Sequence, residues 1–549
     1  MTLKWWSMQN CLTCTIGLFV LVTIHSISVA ENSMTSDLLN PKLLTIPERT
    51  AFERTSTHAE VLAIIAALQE TGELIHRETL LTTQDGKEIP LLVVADPPIN
   101  SPQQAQASDK TIIYIQGNIH GGEVEGKEAS LVLLREILLG EKRHLLDHQI
   151  LIFVPIFNAD GNDRMAADNR PTQEGSPKLA GERFSHGMDL NRDGMALETP
   201  ENSALMANLF NRWDPDVFID LHTTNGTWHG YSLTYAPSYH TAGENSTTAF
   251  ITDKLFPAVT AAIQEKHQLN ISWFGDFDPA VWPVTAFYTY HHAPRYLTNQ
   301  MGLRNRMAIL SETFAHDRFN QRIRTAQAFI EEILLFTNAH AREIRRINRE
   351  ADSAVVTRMQ QQAGQVENGV RFEMIPLEQP LALKAYKHTR VKQADGNQAV
   401  VRGSEIVTLP NVVNYNQFKP TKTAVMPTAY VIPQRYSAVI DNLQKHGIKV
   451  ETLQQAQEFK GQVFIVEEKQ VQENRLNDHD NILLQGHFEN AQKTFAADDY
   501  LVSTTTPLAN LIFYLLEPES DDGLAFWNFF DQDLNRPGAA EYPVFKVMP

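Results

Sequence analysis

The sequence predicts an α/β fold with a mixed, largely parallel sheet and helices on both faces, followed by a C-terminal α/β region. Three observations predict it. Apolar runs typical of buried strands alternate with helical segments over the first 350 residues, which is the pattern of a parallel sheet covered by helices. After about residue 360 the charged helical pattern gives way to short strand-like runs with turn signals. The length of 549 residues allows roughly two to four domains.

The first predicted element is an amphipathic helix over 59–70, where apolar residues recur at helical spacing. Two alternating runs around Asp85-Gly86 predict a β-hairpin. Apolar runs predict buried strands over 111–116, 149–156, 216–221 and 307–311, and helices are predicted over 127–139, 204–213 and 322–350. In the C-terminal region the pattern predicts a strand, a helix and a strand over 429–432, 436–446 and 448–453. The carboxyl ends of the parallel strands are where we expect the functional site.

The composition is globular and acidic. Lys and Arg total 47 and Asp and Glu total 65, which gives a formal net charge of −18. Sequence-independent binding of nucleic acid needs a basic surface, so this function class is disfavoured. Binding to anionic membrane surfaces is disfavoured for the same reason.

The first thirty residues are predicted to be a secretory signal peptide. Lys4 is the only charged residue before Glu31, an apolar run covers 16–24, and Ser28-Val29-Ala30 supplies the small-x-small cleavage pattern. The alternative is an uncleaved N-terminal anchor. We therefore expect an exported protein, periplasmic or secreted, without stable membrane insertion once residues 1–30 are removed.

Both cysteines, Cys11 and Cys14, lie inside the predicted signal peptide. Removal of this segment leaves a mature chain without cysteine. Such a chain has no cysteine nucleophile, no thiolate metal site and no haem-attachment motif.

The segment 117–127 follows a predicted strand and admits two interpretations. Gly121, four residues and then Gly126-Lys127 resemble a phosphate-binding loop, but the next residue is Glu128 where Ser or Thr would hold magnesium. Acidic residues inside the loop would also repel phosphate. The second interpretation is a metal-binding pair formed by His120 and Glu123, three residues apart before a helix. We favour the metal pair.

A third ligand and a base follow at the ends of other predicted strands. His222 ends a buried strand; a lone histidine there is more often structural, but beside the His120–Glu123 pair it completes a His₂Glu set typical of catalytic zinc. Glu312 ends another apolar strand, where burial would raise its pKa into a range useful for proton transfer. The sequence contains neither an H-E-x-x-H motif nor a G-x-S-x-G motif.

With these residues the sequence resembles the zinc carboxypeptidase family, the carboxypeptidase A/B-like metallopeptidases or funnelins, in their large exported bacterial form. The resemblance extends from about Arg54 to Asn338. The motifs occur in the family's order, which makes them more specific together than singly: His120-x-x-Glu123, Asn158-x-Asp160-Gly161, Asp189-Leu190-Asn191-Arg192, His222 and Glu312.

The resemblance implies one Zn²⁺ per chain and a peptide substrate with a free C-terminus. It assigns a role to each matching residue: His120, Glu123 and His222 bind zinc; Glu312 is general base and then general acid; Asn191 and Arg192 hold the terminal carboxylate; Asp189 orients a zinc histidine; Arg170, or its rival Arg164, polarises the scissile carbonyl; and Tyr290 or Tyr296 closes over the substrate.

The prediction is therefore a zinc-dependent metallocarboxypeptidase with a signal peptide over 1–30, a catalytic domain over 31–350 and a C-terminal region of unassigned role over 360–549. One alternative is a zinc amidohydrolase that acts on small N-acyl amino acids or peptidoglycan peptides. Another is a non-catalytic peptide-binding protein on the same fold, which the presence of every ligand and of Glu312 disfavours. No residue of the specificity pocket is identified from the sequence.

Overall fold

The structure is a computed structural model that describes residues 40–175, 177–393, 397–536 and 541–549. The predicted signal peptide, with Cys11 and Cys14, lies outside these residues. Within them, no helix combines the length and the apolarity needed to cross a membrane.

The strands form three sheets. In chain order they are β1 (Ile75–Thr82), β2 (Glu88–Val94), β3 (Thr111–Gly117), β4 (Gln149–Val154), β5 (Val217–Thr223), β6 (Leu233–Pro237), β7 (Ile271–Trp273), β8 (Ala286–Tyr288), β9 (Met307–Thr313), β10 (Glu367–Pro376), β11 (Leu381–Lys392), β12 (Gln398–Val425), β13 (Ala429–Ile432), β14 (Glu451–Thr452), β15 (Gln457–Val471), β16 (Ile482–Phe495), β17 (Tyr500–Ser503) and β18 (Phe545–Val547).

The central sheet has eight strands in the order β1-β2-β4-β3-β5-β9-β6-β7. Its inner strands β4, β3, β5 and β9 run parallel to one another, whereas β1, β2 and β6 pair antiparallel to their neighbours toward the middle. Every residue of β3, β4 and β5 is buried, as their continuous apolar runs require. The predicted mixed, largely parallel α/β fold is confirmed.

The α-helices are, in chain order, α1 (Ile46–Arg49), α2 (His58–Gln69), α3 (Pro102–Ala107), α4 (Glu125–Leu138), α5 (Ala159–Asp163), α6 (Pro200–Ala204), α7 (Asn211–Trp213), α8 (Asn245–Phe250), α9 (Phe256–Ala262), α10 (Leu297–Leu303), α11 (Phe319–Ala339), α12 (Ala341–Gln362), α13 (Ser437–Lys445), α14 (Ala509–Leu516) and α15 (Asp531–Leu534). The two longest α-helices, α11 and α12, follow the last strand of the central sheet.

Two elements differ from the sequence-based prediction. The single helix predicted over 322–350 is two helices, α11 and α12, separated at His340. The His340 ring stacks on Phe336 and lies 2.9 Å from its carbonyl oxygen, which holds His340 outside helical geometry. The strand predicted over 448–453 is reduced to β14, because only two of its residues pair with β17.

The C-terminal part carries the other two sheets. Strands β10, β12 and β11 form a twisted antiparallel sheet that β8 extends in parallel. The third sheet has the order β14-β17-β13-β18-β15-β16 and is antiparallel throughout. Helix α14 is completely buried beneath it. The loop 472–481 between β15 and β16 contacts Asp189 through Asn477.

Candidate active site

The predicted site residues gather at the carboxyl ends of the parallel strands. His120 follows β3, and His222 and Glu312 are register partners at the ends of β5 and β9. Neighbouring parallel strands end at the same edge of a sheet, so side chains from distant parts of the chain meet there. The structure places all three residues at this edge.

The loop after β3 brings His120 and Glu123 together. Asn118 has a left-handed backbone (φ 64°), and its side-chain amide donates to the carbonyl oxygen of Gly121 at 2.9 Å. Helix α4 then packs closely on β5, since a Cβ atom at Gly126 would lie 2.5 Å from the Cβ of Leu221. This close approach carries Glu123 next to His222.

His120, Glu123 and His222 form a buried cluster suited to a metal ion. Nδ1 of His120 lies 2.9 Å from Oε1 of Glu123, and Nδ1 of His222 lies 2.9 Å from Oε2 of the same carboxylate. One donor atom from each residue lies within 4.8 Å of the other two. A His₂Glu donor set of this kind is the one that catalytic zinc sites use.

An aspartate stands behind each histidine. Nε2 of His120 lies 3.1 Å from Oδ1 of Asp189, and Nε2 of His222 lies 3.0 Å from Oδ2 of Asp220. Partners of this type fix the orientation of a ligating imidazole. The sequence analysis predicted Asp189 but missed Asp220. The available signal was the spacing Asp220-x-His222, which puts both side chains on one face of β5.

The charges around the cluster favour ionised groups. Burial would raise the pKa of Glu123, but His120 and Arg170 hold it well below its ordinary value. Burial would lower the pKa of His222, but the carboxylates of Asp220 and Glu123 raise it well above its ordinary value.

Glu312 combines burial with an unused oxygen. Burial raises the pKa of its carboxyl group to about 8. Its Oε2 atom is buried and has no hydrogen-bond partner among the described residues. In its ionised form, this carboxylate can accept a proton on Oε2 next to the histidine cluster.

Glu125, two residues after Glu123, connects the segments that carry Glu123, His222 and Glu312. Its Oε1 accepts hydrogen bonds from the hydroxyl groups of Thr223 at 2.6 Å and Thr313 at 2.8 Å, the residues that follow His222 and Glu312. Arg322 of α11 donates to the same oxygen at 2.8 Å. This buried network fixes the strand ends relative to helix α4.

A cavity of about 200 Å³ opens over the cluster. Its lining contains the predicted ligands, the predicted base and the predicted substrate-binding residues, together with polar residues that the sequence analysis did not single out. The predicted residues in the lining are His120, Glu123, His222, Glu312, Asn191, Arg192, Tyr290 and Tyr296.

The arginine predicted to polarise the scissile carbonyl does not reach this cavity. Arg170 donates to Oε1 of Glu123 at 2.9 Å and to the carbonyl oxygen of Thr223 at 3.2 Å, so its guanidinium holds the carboxylate of the candidate metal cluster. Its rival Arg164 pairs with Asp85 at the surface. The cavity lining contains two arginines: Arg192, which the sequence analysis predicted, and Arg183, which it missed.

Arg183 is held by the aspartate that also holds His120. Its Nε and NH2 atoms donate to Oδ2 of Asp189 at 3.1 and 3.0 Å. Arg183 lies six residues before Asp189 and does not follow a predicted strand. The sequence therefore gives no reason to choose it over Arg170 or Arg164 for this role.

The two tyrosines have different partners. The hydroxyl of Tyr290 donates to Oδ1 of Asn299 at 2.9 Å and lies 3.1 Å from the carbonyl oxygen of Pro237. The ring of Tyr296 lies 4.3 Å from the guanidinium carbon of Arg192 and stacks against it. Tyr296 therefore positions Arg192, whereas the hydroxyl of Tyr290 is engaged inside the protein. The closing role stays a prediction for either residue.

Asp276 is a further carboxylate in the cavity lining. It accepts a hydrogen bond from the hydroxyl of Thr227, and burial raises its pKa. Among the described residues, no lysine or arginine lies within ion-pair distance of it. The strand preceding it is only three residues long, which is why the sequence analysis did not mark this position.

Residues 61–292 match the family model described as Zinc carboxypeptidase. The resemblance found in the sequence is thus confirmed for this part of the chain. His120, Glu123 and His222 lie inside the matched range, and Glu312 lies beyond it.

Sequence similarity to curated proteins is confined to a short part of this chain and of each relative. A stretch of 154 residues is 24% identical to Probable carboxypeptidase 2 of Arthroderma benhamiae, over 27% of this chain and 25% of that protein. Carboxypeptidase D of Mus musculus is 28% identical over 128 residues, 22% of this chain and 9% of that protein. Carboxypeptidase A from Helicoverpa armigera, a solved structure, is 14% identical over 58% of this chain and 82% of that chain, with a TM-score of 0.39. The chain spans a quarter or less of the length of these two curated relatives.

Proposed function

We propose that this chain is an exported zinc metallocarboxypeptidase that hydrolyses the last peptide bond of a substrate with a free C-terminus. The observation that carries the proposal is the His120–Glu123–His222 cluster beside the buried carboxylate of Glu312 in one cavity. The family match over residues 61–292 supports it. Export rests on the sequence pattern of residues 1–30.

The donor atoms of the cluster fit Zn²⁺. Two imidazole Nδ1 atoms face one carboxylate, and each imidazole has an aspartate at its other nitrogen. His120, Glu123 and His222 would hold the ion. When bound, zinc supplies Lewis acidity and lowers the pKa of a coordinated water to about 7.

Glu312 is the group that moves the proton. Its free Oε2 accepts a proton from the attacking water, and the resulting carboxylic acid returns that proton to the departing amine. The raised pKa favours the first step, because a carboxylate with an ordinary pKa would be a weaker base toward the attacking water.

Arg183 is the residue placed to stabilise negative charge on the carbonyl oxygen. It lines the cavity and is held in place by Asp189, whereas Arg170 is committed to Glu123. A fixed guanidinium aimed at a developing oxyanion lowers the barrier without reorganisation during the reaction.

Asn191 and Arg192 bind the free C-terminus. Both line the cavity, and the stacking of Arg192 on Tyr296 holds its guanidinium plane. Arginine binds carboxylates through two parallel hydrogen bonds, which distinguishes an acid from an amide. This pair makes the site an exopeptidase site.

Hydrolysis of N-terminally blocked peptides by the zinc-replete chain tests the function. Release of one residue at a time from the C-terminus supports it, and cleavage at internal bonds alone contradicts it.

Asp220 should strengthen zinc binding through His222. We expect Asp220→Asn to weaken zinc affinity by about 10- to 100-fold, the usual cost of losing a charged partner behind a ligating histidine. The amide retains an oxygen that can accept the hydrogen bond from Gln116, so the fold is preserved. Competition with a chromophoric chelator measures the affinity. An unchanged zinc affinity would contradict a role of Asp220 in zinc binding.

Asp276 points to a substrate with a positively charged side chain. We propose that this half-buried carboxylate, which lacks a cationic partner among the described residues, pairs with the charged group of a lysine- or arginine-like residue near the cleaved bond. A cation in the cavity would favour the ionised form of Asp276 and offset the cost of its burial.

The charge preference is tested with matched peptides that end in lysine or norleucine. We expect wild type to prefer lysine, and Asp276→Asn to lower the lysine-to-norleucine ratio of kcat/KM by about 10- to 100-fold, the size of one charge-assisted hydrogen bond. Asp278→Asn, two residues away and exposed, is the matched control. A ratio that Asp276→Asn leaves unchanged would refute this preference.

A further inference from the structure

The loop 472–481 of the C-terminal region is a well-defined structural element. Its ends are joined by a backbone hydrogen bond from Gln472 to Asn481 at 2.8 Å, and Leu476 and His479 form a bridge inside it. The side chain of Asn481 is fully buried and accepts from the backbone of Leu476 at 3.1 Å. The loop therefore presents its tip, Asn477-Asp478, in a fixed conformation.

Asn477 at this tip contacts the backbone of Asp189 through both ends of its amide. Its Oδ1 accepts from the Asp189 N–H at 2.9 Å, and its Nδ2 donates to the Asp189 carbonyl oxygen at 3.2 Å. The two residues are 288 positions apart in the chain. A two-point contact of this kind, to the N–H and the carbonyl oxygen of the same residue, fixes both the position and the orientation of the Asp189 backbone.

The residue held in this way lies at the junction of the site. Asp189 contacts Nε2 of His120 with one carboxylate oxygen and Arg183 with the other. Its Oδ1 also accepts from the backbone of Asn191 at 3.0 Å. A displacement of Asp189 would therefore disturb the proposed metal ligand His120, the cavity residue Arg183 and the segment beginning at Asn191 that is proposed to bind the terminal carboxylate.

Other side chains of the C-terminal region hold the chain just beyond Asp189. Asn442 donates to the carbonyl oxygen of Met195 at 2.9 Å, and Nε2 of His479 lies 2.7 Å from Oε2 of Glu198. Residues from the last quarter of the chain thus hold the segment 189–198 at several points. The C-terminal region therefore holds the backbone of a segment that belongs to the site.

We propose that Asn477 is a positioning residue through which the C-terminal region sets Asp189, and through it His120, in the geometry that binds the metal. The inference rests on the proposed function for its catalytic meaning. Its structural part, the coupling of Asn477 to metal affinity, is independent of the substrate.

The backbone at the tip allows a clean test. Asn477 and Asp478 both have left-handed backbones, with φ of 46° and 64°, which glycine adopts without strain. Asn477→Gly removes the amide and keeps the turn. Asp478→Gly makes the same change at the adjacent, exposed residue and is the matched control.

The full-length chain is titrated with zinc in competition with a chelator, and kcat and KM are measured on a blocked free-acid peptide. We expect Asn477→Gly to weaken zinc affinity by about 3- to 10-fold, less than the loss of a direct carboxylate partner, and to lower kcat/KM. Asp478→Gly should match wild type in both. Asn477→Asp replaces the amide donor with a carboxylate oxygen that would repel the carbonyl oxygen of Asp189. It should weaken zinc affinity at least as much as Asn477→Gly.

Two results would overturn the proposal. One is a zinc affinity that Asn477→Gly and Asn477→Asp both leave at the wild-type value. The other is an equal loss in Asp478→Gly, which would indicate general destabilisation of the loop; melting temperatures of the metal-free proteins identify this case. Zinc binding without C-terminal hydrolysis by wild type would instead refute the proposed function and leave the coupling measurable.

Discussion

Glu312→Gln should lower kcat by about 10²- to 10⁴-fold, the contribution expected of a general acid–base group. Glutamine is isosteric with the acid but neither accepts a proton from water nor returns one to an amine. Steady-state kinetics on a blocked peptide measures the loss. KM should change little, because Glu312 acts mainly in the transition state.

The zinc content of Glu312→Gln is the control for this result. We expect it to equal that of wild type, since Glu312 is not among the three grouped ligands. The pH profile gives a second check. Only the ionised carboxylate accepts a proton, so wild-type activity should fall as the pH drops through the pKa of Glu312, and the variant should lack that limb. A variant with zinc and wild-type kcat would exclude Glu312 as the base.

Arg192→Ala should remove the preference for a free C-terminus. Loss of the guanidinium leaves the substrate carboxylate unpaired inside the cavity, which costs about 2–5 kcal/mol, or at least about 30-fold in kcat/KM. An amidated peptide lacks the carboxylate and should be nearly unaffected, if it is cleaved at all. The ratio of kcat/KM between the two peptides is the measurement.

Arg164→Ala is the matched control for Arg192→Ala, because Arg164 pairs with Asp85 at the surface and does not line the cavity. It should keep the wild-type preference. If Arg192→Ala also keeps the free-acid preference, the exopeptidase assignment fails, and an endopeptidase or another zinc amidohydrolase becomes the better account of the same cluster.

The positions of the candidate metal-binding residues and of Glu312 were predictable because they follow a local rule. His120 lies three residues after β3, and His222 and Glu312 are the last residues but one of β5 and β9. The parallel order of β3, β5 and β9 brings such positions to one edge. The strands themselves were predictable because their burial on both faces demands unbroken apolar runs.

Residues whose role depends on a distant approach were not predictable in the same way. Arg170 contacts Glu123, whereas Arg183 contacts Asp189. A Cβ atom at Gly122 would lie 2.6 Å from Cγ of Arg170, so the glycine leaves the space that the Arg170 side chain occupies. Asn477 reaches Asp189 across 288 residues. Neither approach leaves a periodic trace in the sequence.

The most direct test of the account is the product of one digestion. A peptide with a blocked N-terminus and a free C-terminal lysine is incubated with the zinc-replete chain, and mass spectrometry identifies every fragment. The account predicts a product shorter by the C-terminal residue, and no such product after the metal is removed with a chelator. Fragments cut only at internal bonds, or an intact peptide in the presence of zinc, would contradict it.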